Sequence, residues 1–325
     1  MKRTVPLLLA AALGVLSASH GSAQSYRVLT YNLGLLRVLG SDYVPNVQGR
    51  ALVAPRELAA FAQASSPQII LLEEVWNDQH AKAIQKELAP LGYTFVRPTQ
   101  PTLLGLNGGL LLAVKSPLVV VDWKFTRFSK STFMDAMAHK GVLEATVQDP
   151  SNGDQQFAVV GVHTLAIDTV KGEAKDQGQI DAFAVQAKEI LADVDRRSDS
   201  GRLPTILLGD FNVGPGYADA QYRKIADSGK LVEVGASLSP DKPMITWDPQ
   251  NPLVKYGEYP LEPASKIDHV FLQNGTSRTW KADDARIVFN MPVDDLKLVP
   301  PKGRPPVSTP LSDHYGFLAD VELSR

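Results

Sequence analysis

Asp210 and Asn212 stand two residues apart, just beyond the apolar run Leu203 to Leu208 and Gly209. On an extended chain, residues i and i+2 point the same way. The pair therefore either opens a turn, a usual place for Asp and Asn, or faces a cleft at a strand end, where open α/β sheets place ligands. Other strand ends carry polar groups of the same kind. Asn32 follows Tyr26–Tyr31, and Glu73-Glu74 follow Gln68–Leu72. His163 follows Gln156–Val162, and Asp268 opens an alternating run that ends at Leu272. Asp313-His314 precede a final strand from Tyr315 to Leu323. Singly, each has an ordinary explanation: a turn amide, a solvated acid or a structural histidine. Together they offer acids for a hard cation, amides and an imidazole for anionic oxygens, and a His–Asp combination for proton transfer. Asp268 shares a strand face with Val270 and Leu272, so it is expected to be buried and to need a partner. The chain has no cysteine, no Gly-Xaa-Ser-Xaa-Gly elbow, no P-loop and no His-Glu-Xaa-Xaa-His helix. Metal-assisted attack of water on a phosphate ester is the reaction that uses all of these parts.

The elements that must position these groups alternate between strand and helix. Gln68–Leu72, Gly108–Val114, Lys140–Val147 and Gln156–Val162 read as buried strands. Gln177–Val194 is the clearest helix, with Ile180, Phe183, Ala184, Ala187, Ile190, Leu191 and Val194 on one stripe. Ala54–Ala64, Asn77–Leu88 and Ala218–Ser228 are further helices, and Phe128–His139 is expected to be a loop near the site. Strands separated by helices indicate a layered α/β fold.

At the start of the chain, Lys2 and Arg3 precede the apolar run Val5–Leu16 and a small-residue stretch, Gly21-Ser22-Ala23. This reads as a cleavable export signal over residues 1–23. It leaves residues 24–325 as a single catalytic domain, secreted or periplasmic, with no transmembrane span and expected to be a monomer. The formal net charge is −2, and losing Lys2 and Arg3 takes it to −4. Such a balance argues against gripping DNA through a general basic field.

Taken in order, Tyr31-Asn32, Leu72-Glu73-Glu74-Val75, Val162-His163-Thr164-Leu165, Gly209-Asp210-Phe211-Asn212, Ile267-Asp268 and Ser312-Asp313-His314 resemble the endonuclease/exonuclease/phosphatase superfamily. The resemblance implies a four-layer α/β/β/α sandwich, the deoxyribonuclease I-like fold. It also implies roles. Glu74 resembles the principal metal ligand, with Asn32 beside it and Asp313 adjacent, for Mg²⁺ or Mn²⁺. Asp210 and Asn212 resemble the pair that orients water and phosphate, and His163 the phosphate-binding histidine. His314 resembles the general base, steadied by Asp268. Two departures stand out. Glu73 replaces the usual Gln and is expected to add negative charge near the ion, and Gly161 replaces an Asn and removes a hydrogen bond.

Within the superfamily, secreted bacterial neutral sphingomyelinases are the closest likeness, through Asp135–Val142 and through Thr246-Trp247-Asp248-Pro249 with Asn251-Pro252-Leu253. The likeness implies a phospholipid substrate at a membrane surface, with an exported nuclease or another phosphoesterase as the alternatives. It also implies an apolar hairpin near Ile287–Pro292, where Phe289 or Met291 either enters lipid or packs into a sheet.

Overall fold

The computed structural model describes residues 23–99, 107–136, 138–242, 244–257, 262–301 and 303–325. The expected export signal lies outside them, apart from Ala23. Among the described residues no helix is long and apolar enough to cross a membrane.

Twelve strands form two six-stranded sheets. In chain order they are β1 (Gln24–Asn32), β2 (Ile69–Glu73), β3 (Tyr93–Val96), β4 (Leu111–Lys115), β5 (Val119–Arg127) and β6 (Gly141–Asp149). There follow β7 (Gln155–His163), β8 (Thr205–Asp210), β9 (Val232–Glu233), β10 (Asp268–Gln273), β11 (Thr279–Val288) and β12 (Gly316–Ser324). The first sheet runs β11-β12-β1-β2-β4-β3 and the second β9-β10-β8-β7-β6-β5. Each has one parallel pair at its centre, β1 with β2 and β7 with β8, and antiparallel neighbours around it.

The apolar residues sort by strand face into three layers. Val28, Ile69, Leu71, Leu143, Val159, Leu208 and Val270 fill the space between the sheets. The opposite face of the first sheet, with Leu29, Ile70 and Leu72, packs under helices α1 (Val47–Ser65) and α2 (Asp78–Leu88). The outer face of the second sheet, with Val160, Leu207 and Phe271, packs under α3 (Gln177–Arg197) and α4 (Asp219–Ala226). This is the expected four-layer sandwich. The sheets come so close at β7 that a Cβ on Gly161 would lie 2.7 Å from a Leu71 methyl. A side chain there would have to displace Leu71.

Helix α1 begins seven residues before the expected Ala54. Pro55 looks like a helix start, but the Asn46 side chain caps the helix by accepting from the Gly49 N–H. Buried Val47, Ala51, Val53 and Ala54 carry the apolar face up to the proline. Strand β11 escaped notice because its pattern is interrupted by Lys281, Asp283, Asp284 and Arg286, as suits an edge strand. Phe289 does not project into solvent. It stacks on Tyr31 with ring centroids 4.7 Å apart and packs against Phe61, while Met291 is 71% exposed. Phe289→Ser should therefore cost about 1.5–3 kcal/mol of stability, read as a lowered midpoint in urea, whereas Met291→Ser should leave that midpoint unchanged.

Beneath the second sheet lies a buried ionic cluster. Lys266 Nζ stands 2.5 Å from Glu233 Oε1 and 3.8 Å from the Phe317 ring centre. His269 Nδ1 is 3.4 Å from the same carboxylate, and its Nε2 meets the Val213 carbonyl at 3.0 Å. Burial opposes the Glu233 charge, but Lys266 and His269 outweigh it and hold the carboxyl well below the usual range. Burial and Lys266 push the His269 imidazole down. Both groups bind more protons when unfolded, so the contribution of each falls as pH falls. It should be lost from about pH 6.5 and more steeply below about pH 4.3, against the opposite-signed contributions of His314, Asp210, Glu74 and Glu73. Glu233→Gln should lose about 3–5 kcal/mol at pH 7 by leaving Lys266 unpaired and should flatten the steeper limb, as measured by urea unfolding across pH.

Candidate active site

The register of the strands brings the polar ends together. Asn32 pairs with Glu73 at the end of the β1–β2 ladder. Asp210 is flanked in register by His163 on one side and Asp268 on the other. Across the gap between the sheets, Asn32 Nδ2 donates to Asp210 Oδ2 at 2.8 Å and to Glu74 Oε1 at 3.2 Å. The Asn32 oxygen is engaged by the Gly34 N–H at 2.8 Å, which fixes the amide with its NH₂ toward the acids.

Asp210 is the hub. Its Oδ1 accepts from the Asn212 N–H at 2.8 Å, and its Oδ2 lies 3.5 Å from His163 Nε2 and 3.9 Å from His314 Nε2. Asn212 adopts φ 51° and sends its own side chain to the Thr164 carbonyl at 3.1 Å. Glu74 also has a positive φ, 57°, a conformation that non-glycine residues hold only when their surroundings impose it. There the Val75 N–H is tied to the Gly109 carbonyl and the Glu74 carboxylate to Trp76 Nε1 at 3.4 Å. Asp313 leans over the end of β1, so closely that a Cβ on Gly34 would meet its Oδ1 at 2.4 Å.

His314 and Asp268 form a buried pair, Nδ1 to Oδ2 at 2.9 Å. Burial pulls the imidazole pKa down, but the Asp268 and Asp210 carboxylates override it and hold His314 well above its ordinary value. His163 goes the other way: burial, then Lys140, press it well below, so it is neutral. Burial raises Asp210, with Asp268 adding to the effect. Burial likewise raises Glu74, and Asp313 raises it further.

All eight sequence-identified residues therefore meet. Glu74, His163, Asn212, Asp313 and His314 line one cleft of about 340 Å³, and Asn32, Asp210 and Asp268 stand behind it. The expectation for Glu73 is corrected. Its side chain turns into the gap between the sheets, fully buried, where Oε1 accepts from Thr30 Oγ1 at 2.5 Å. Burial, then Asp268, raises its pKa well above the carboxylate range, so it is a neutral acid that adds no charge. Sequence reasoning passed over Lys140, whose Nζ stands 2.6 Å from Asp135 and donates to the Thr164 carbonyl at 2.9 Å. The signal was available: a lysine opening a buried strand must meet an anion. It also missed how the Thr246–Leu253 stretch supports the site. Thr246 Oγ1 accepts from the N–H groups of Ile267 and Asp268, and Asn251 Nδ2 donates to the Ser312 carbonyl at 2.8 Å.

The donor set suits a hard divalent cation. Burial and Asp313 both raise the energy of the Glu74 carboxylate's charge, and carboxylate oxygens are ligands such ions take. Asp210, Asp268 and His314 also offer ligand atoms within 4.8 Å of one another. In that trio, however, the Asp268–His314 contact is a hydrogen bond, which fits proton handling better than ligation.

Residues 29–314 match the model of the Endonuclease/Exonuclease/phosphatase family. The chain belongs to that family. Sphingomyelinase C of Listeria ivanovii is 27% identical over 172 residues, which are 53% of this chain and 48% of that protein. The chain thus spans about half the length of the curated relative it matches. Among solved structures, sphingomyelinase C from Streptomyces griseocarneus superposes with a TM-score of 0.69 at 21% identity, over 91% of this chain and 98% of that one. The beta toxin of Staphylococcus aureus, with bound magnesium ions, gives 0.65 at 15% identity over 91% and 99%. D. rerio TDP2 complexed with a single-strand DNA product gives 0.64 at 16% over 91% and 98%. At these identities the likenesses establish the fold.

Because Glu73 is already neutral, Glu73→Gln should cost no more than about 1 kcal/mol, one hydrogen bond's worth, and should leave turnover close to wild type. Thermal melts and steady-state rates on the same preparation check both halves.

Proposed function

We propose that this chain is an exported, Mg²⁺-dependent phosphodiesterase of the sphingomyelinase C type, releasing a phosphorylated head group from a phospholipid. The observation that carries the reading is the make-up of the cleft. Among its described lining residues the one Lys or Arg is Lys140, already tied to Asp135, whereas Trp247, Tyr217, Ile167, Leu253 and Val254 supply apolar wall. A nucleic-acid groove needs cations spaced along a phosphate backbone. A single phosphodiester joined to an apolar body needs one charged end and one apolar wall. Aromatic faces such as Trp247 and Tyr217 also suit a quaternary ammonium head group.

Within that reading, Glu74 and Asp313 would hold the cation, Mg²⁺ or Mn²⁺, and Asn32, with its NH₂ turned to the acids, would orient the Glu74 carboxylate rather than bind the ion. The cation supplies electrostatic stabilisation of the phosphate's charge. Asn212 faces the cleft with its amide fixed by Thr164, placed to hold a phosphate oxygen. His163, neutral and pinned beside Asp210, presents an uncharged imidazole to the same group. Asp268 holds the proton on His314 Nδ1, leaving Nε2 to exchange a proton with the reacting oxygen. Asp210 orients these partners from behind the cleft.

The deciding experiment is a side-by-side assay with Mg²⁺ against sphingomyelin, phosphatidylcholine and plasmid DNA. Sphingomyelin should be turned over fastest, and preference for plasmid DNA would instead identify a nuclease. Thorough dialysis against EDTA should abolish activity and Mg²⁺ should restore it. Glu74→Gln should lose at least about 10²-fold in turnover with the fold intact. His314→Ala should lose about 10²–10⁴-fold, and Asp268→Asn part of that, with the pH–rate profile altered in both; wild-type rates and profile would remove His314 from the reaction.

A further inference from the structure

Arg50 is fully buried in helix α1, and every hydrogen bond it makes ends on a backbone carbonyl. Nε donates to Pro45 at 3.0 Å. One terminal nitrogen donates to Leu33 at 2.6 Å and reaches Leu311 at 3.4 Å. The other donates to Gly34 at 2.6 Å and reaches Val44 at 3.4 Å. All five N–H groups of the guanidinium are thereby directed. Among the described residues no carboxylate forms an ion pair with it.

A buried charge without a counter-ion is costly, so its placement needs a reason. The carbonyls it gathers belong to three separate segments. Leu33 and Gly34 directly follow Asn32. Leu311 directly precedes Ser312-Asp313-His314. Val44 and Pro45 lead into α1, and Val44 lines the cleft. Beyond this shell, the acids whose charge favours the cation are Asp313, Glu74 and Asp42. Asp42 is already paired with Arg37 at 3.0 Å. The remaining two are the acids assigned above to the metal.

From this we infer that Arg50 is a positioning residue of the metal site, a carbonyl clamp that fixes Asn32 at the end of β1 against Asp313 in the bend before β12. The inference rests on the proposed placement of the cation at Glu74 and Asp313, with Asn32 donating to Glu74 beside it. Lysine keeps the charge but offers three donors on one atom and cannot span three segments. Removing a partner that orients ligands without touching the ion typically weakens metal affinity about 10–100-fold.

Mn²⁺ binding to the folded full chain, measured by electron paramagnetic resonance, tests it apart from turnover. Arg50→Lys should bind Mn²⁺ about 10–100-fold more weakly, with activity on a soluble phosphodiester recovering at high Mg²⁺. A folded Arg50→Lys protein with wild-type Mn²⁺ affinity would overturn the inference while leaving the metal site standing. Failure of the wild type to bind Mn²⁺ would instead overturn the metal site, and the clamp's role with it. Should Arg50→Lys not fold, the coupling is read in the wild type by NMR. Linkage requires Mg²⁺ to slow exchange of the Arg50 guanidinium protons if the clamp and the ion stabilise one another. Exchange unchanged by saturating Mg²⁺ would overturn the inference by that route as well.

Discussion

Negative charge crowded at the shared end of two sheets is the constraint on which the rest of this structure turns. Glu74, Asp210, Asp268 and Asp313 come together where water is largely excluded, and each raises the energy of its neighbours. The surroundings answer in three ways. Asn32 spans the gap as a neutral donor to two of the acids. His314 takes up a proton between Asp268 and Asp210. Glu73, the fifth carboxyl, gives up its charge and bonds to Thr30. What remains uncompensated is the Glu74–Asp313 side, which faces the cleft. Glu74 and Asp313 are the two of these acids that line the cleft itself, the side on which we propose the cation.

The two parallel pairs make this crowding possible. β1 with β2 and β7 with β8 end in register, so no strand needs to bend to deliver its polar group. Small residues then let the halves approach. Gly161 admits Leu71 of the facing sheet, and Gly34 admits Asp313 over the end of β1. A Cβ at Gly161 would press on Leu71 and one at Gly34 on Asp313. Packing in the apolar layer and geometry in the polar layer are therefore one requirement. The distance across the Asn32–Asp210 bond is set by side chains several residues deeper in the core.

What the sequence made legible follows from the same logic. Strands buried on both faces read as unbroken apolar runs, and the polar residue at the end of each run stood out against them. That contrast brought out Asn32, Glu74, His163, Asp210 and Asn212, whereas Asp268 came from an alternating strand and Asp313-His314 from the segment before the last strand. Elements whose pattern is mixed were lost. β11 carries charge because one side of it faces solvent, and α1 carries an internal proline whose cost its packing absorbs. Ionisation was legible least of all. Glu73 and Glu74 are adjacent and chemically identical, yet the chain reverses to a positive φ between them, sending one carboxyl into the core and the other to the cleft. No local pattern announces that reversal. Phe289 is a similar case: its apolar neighbours suited either a lipid-facing tip or the core, and only the ring of Tyr31 beneath it decides.

The supporting residues share a property that hid them: they act on backbone rather than on side chains. Thr246 holds the N–H groups of Ile267 and Asp268, Asn251 holds the carbonyls of Ser312 and Asp313, and Arg50 holds Leu33, Gly34 and Leu311. Each joins segments far apart in sequence, so none has a spacing that a motif could capture. Their common effect is to fix main chain on either side of a reactive group. A carboxylate carried on a fixed backbone has few rotamers left, and four like charges cannot drift apart to relieve their repulsion. The site is held in its strained arrangement from behind, by polar groups that never enter the cleft.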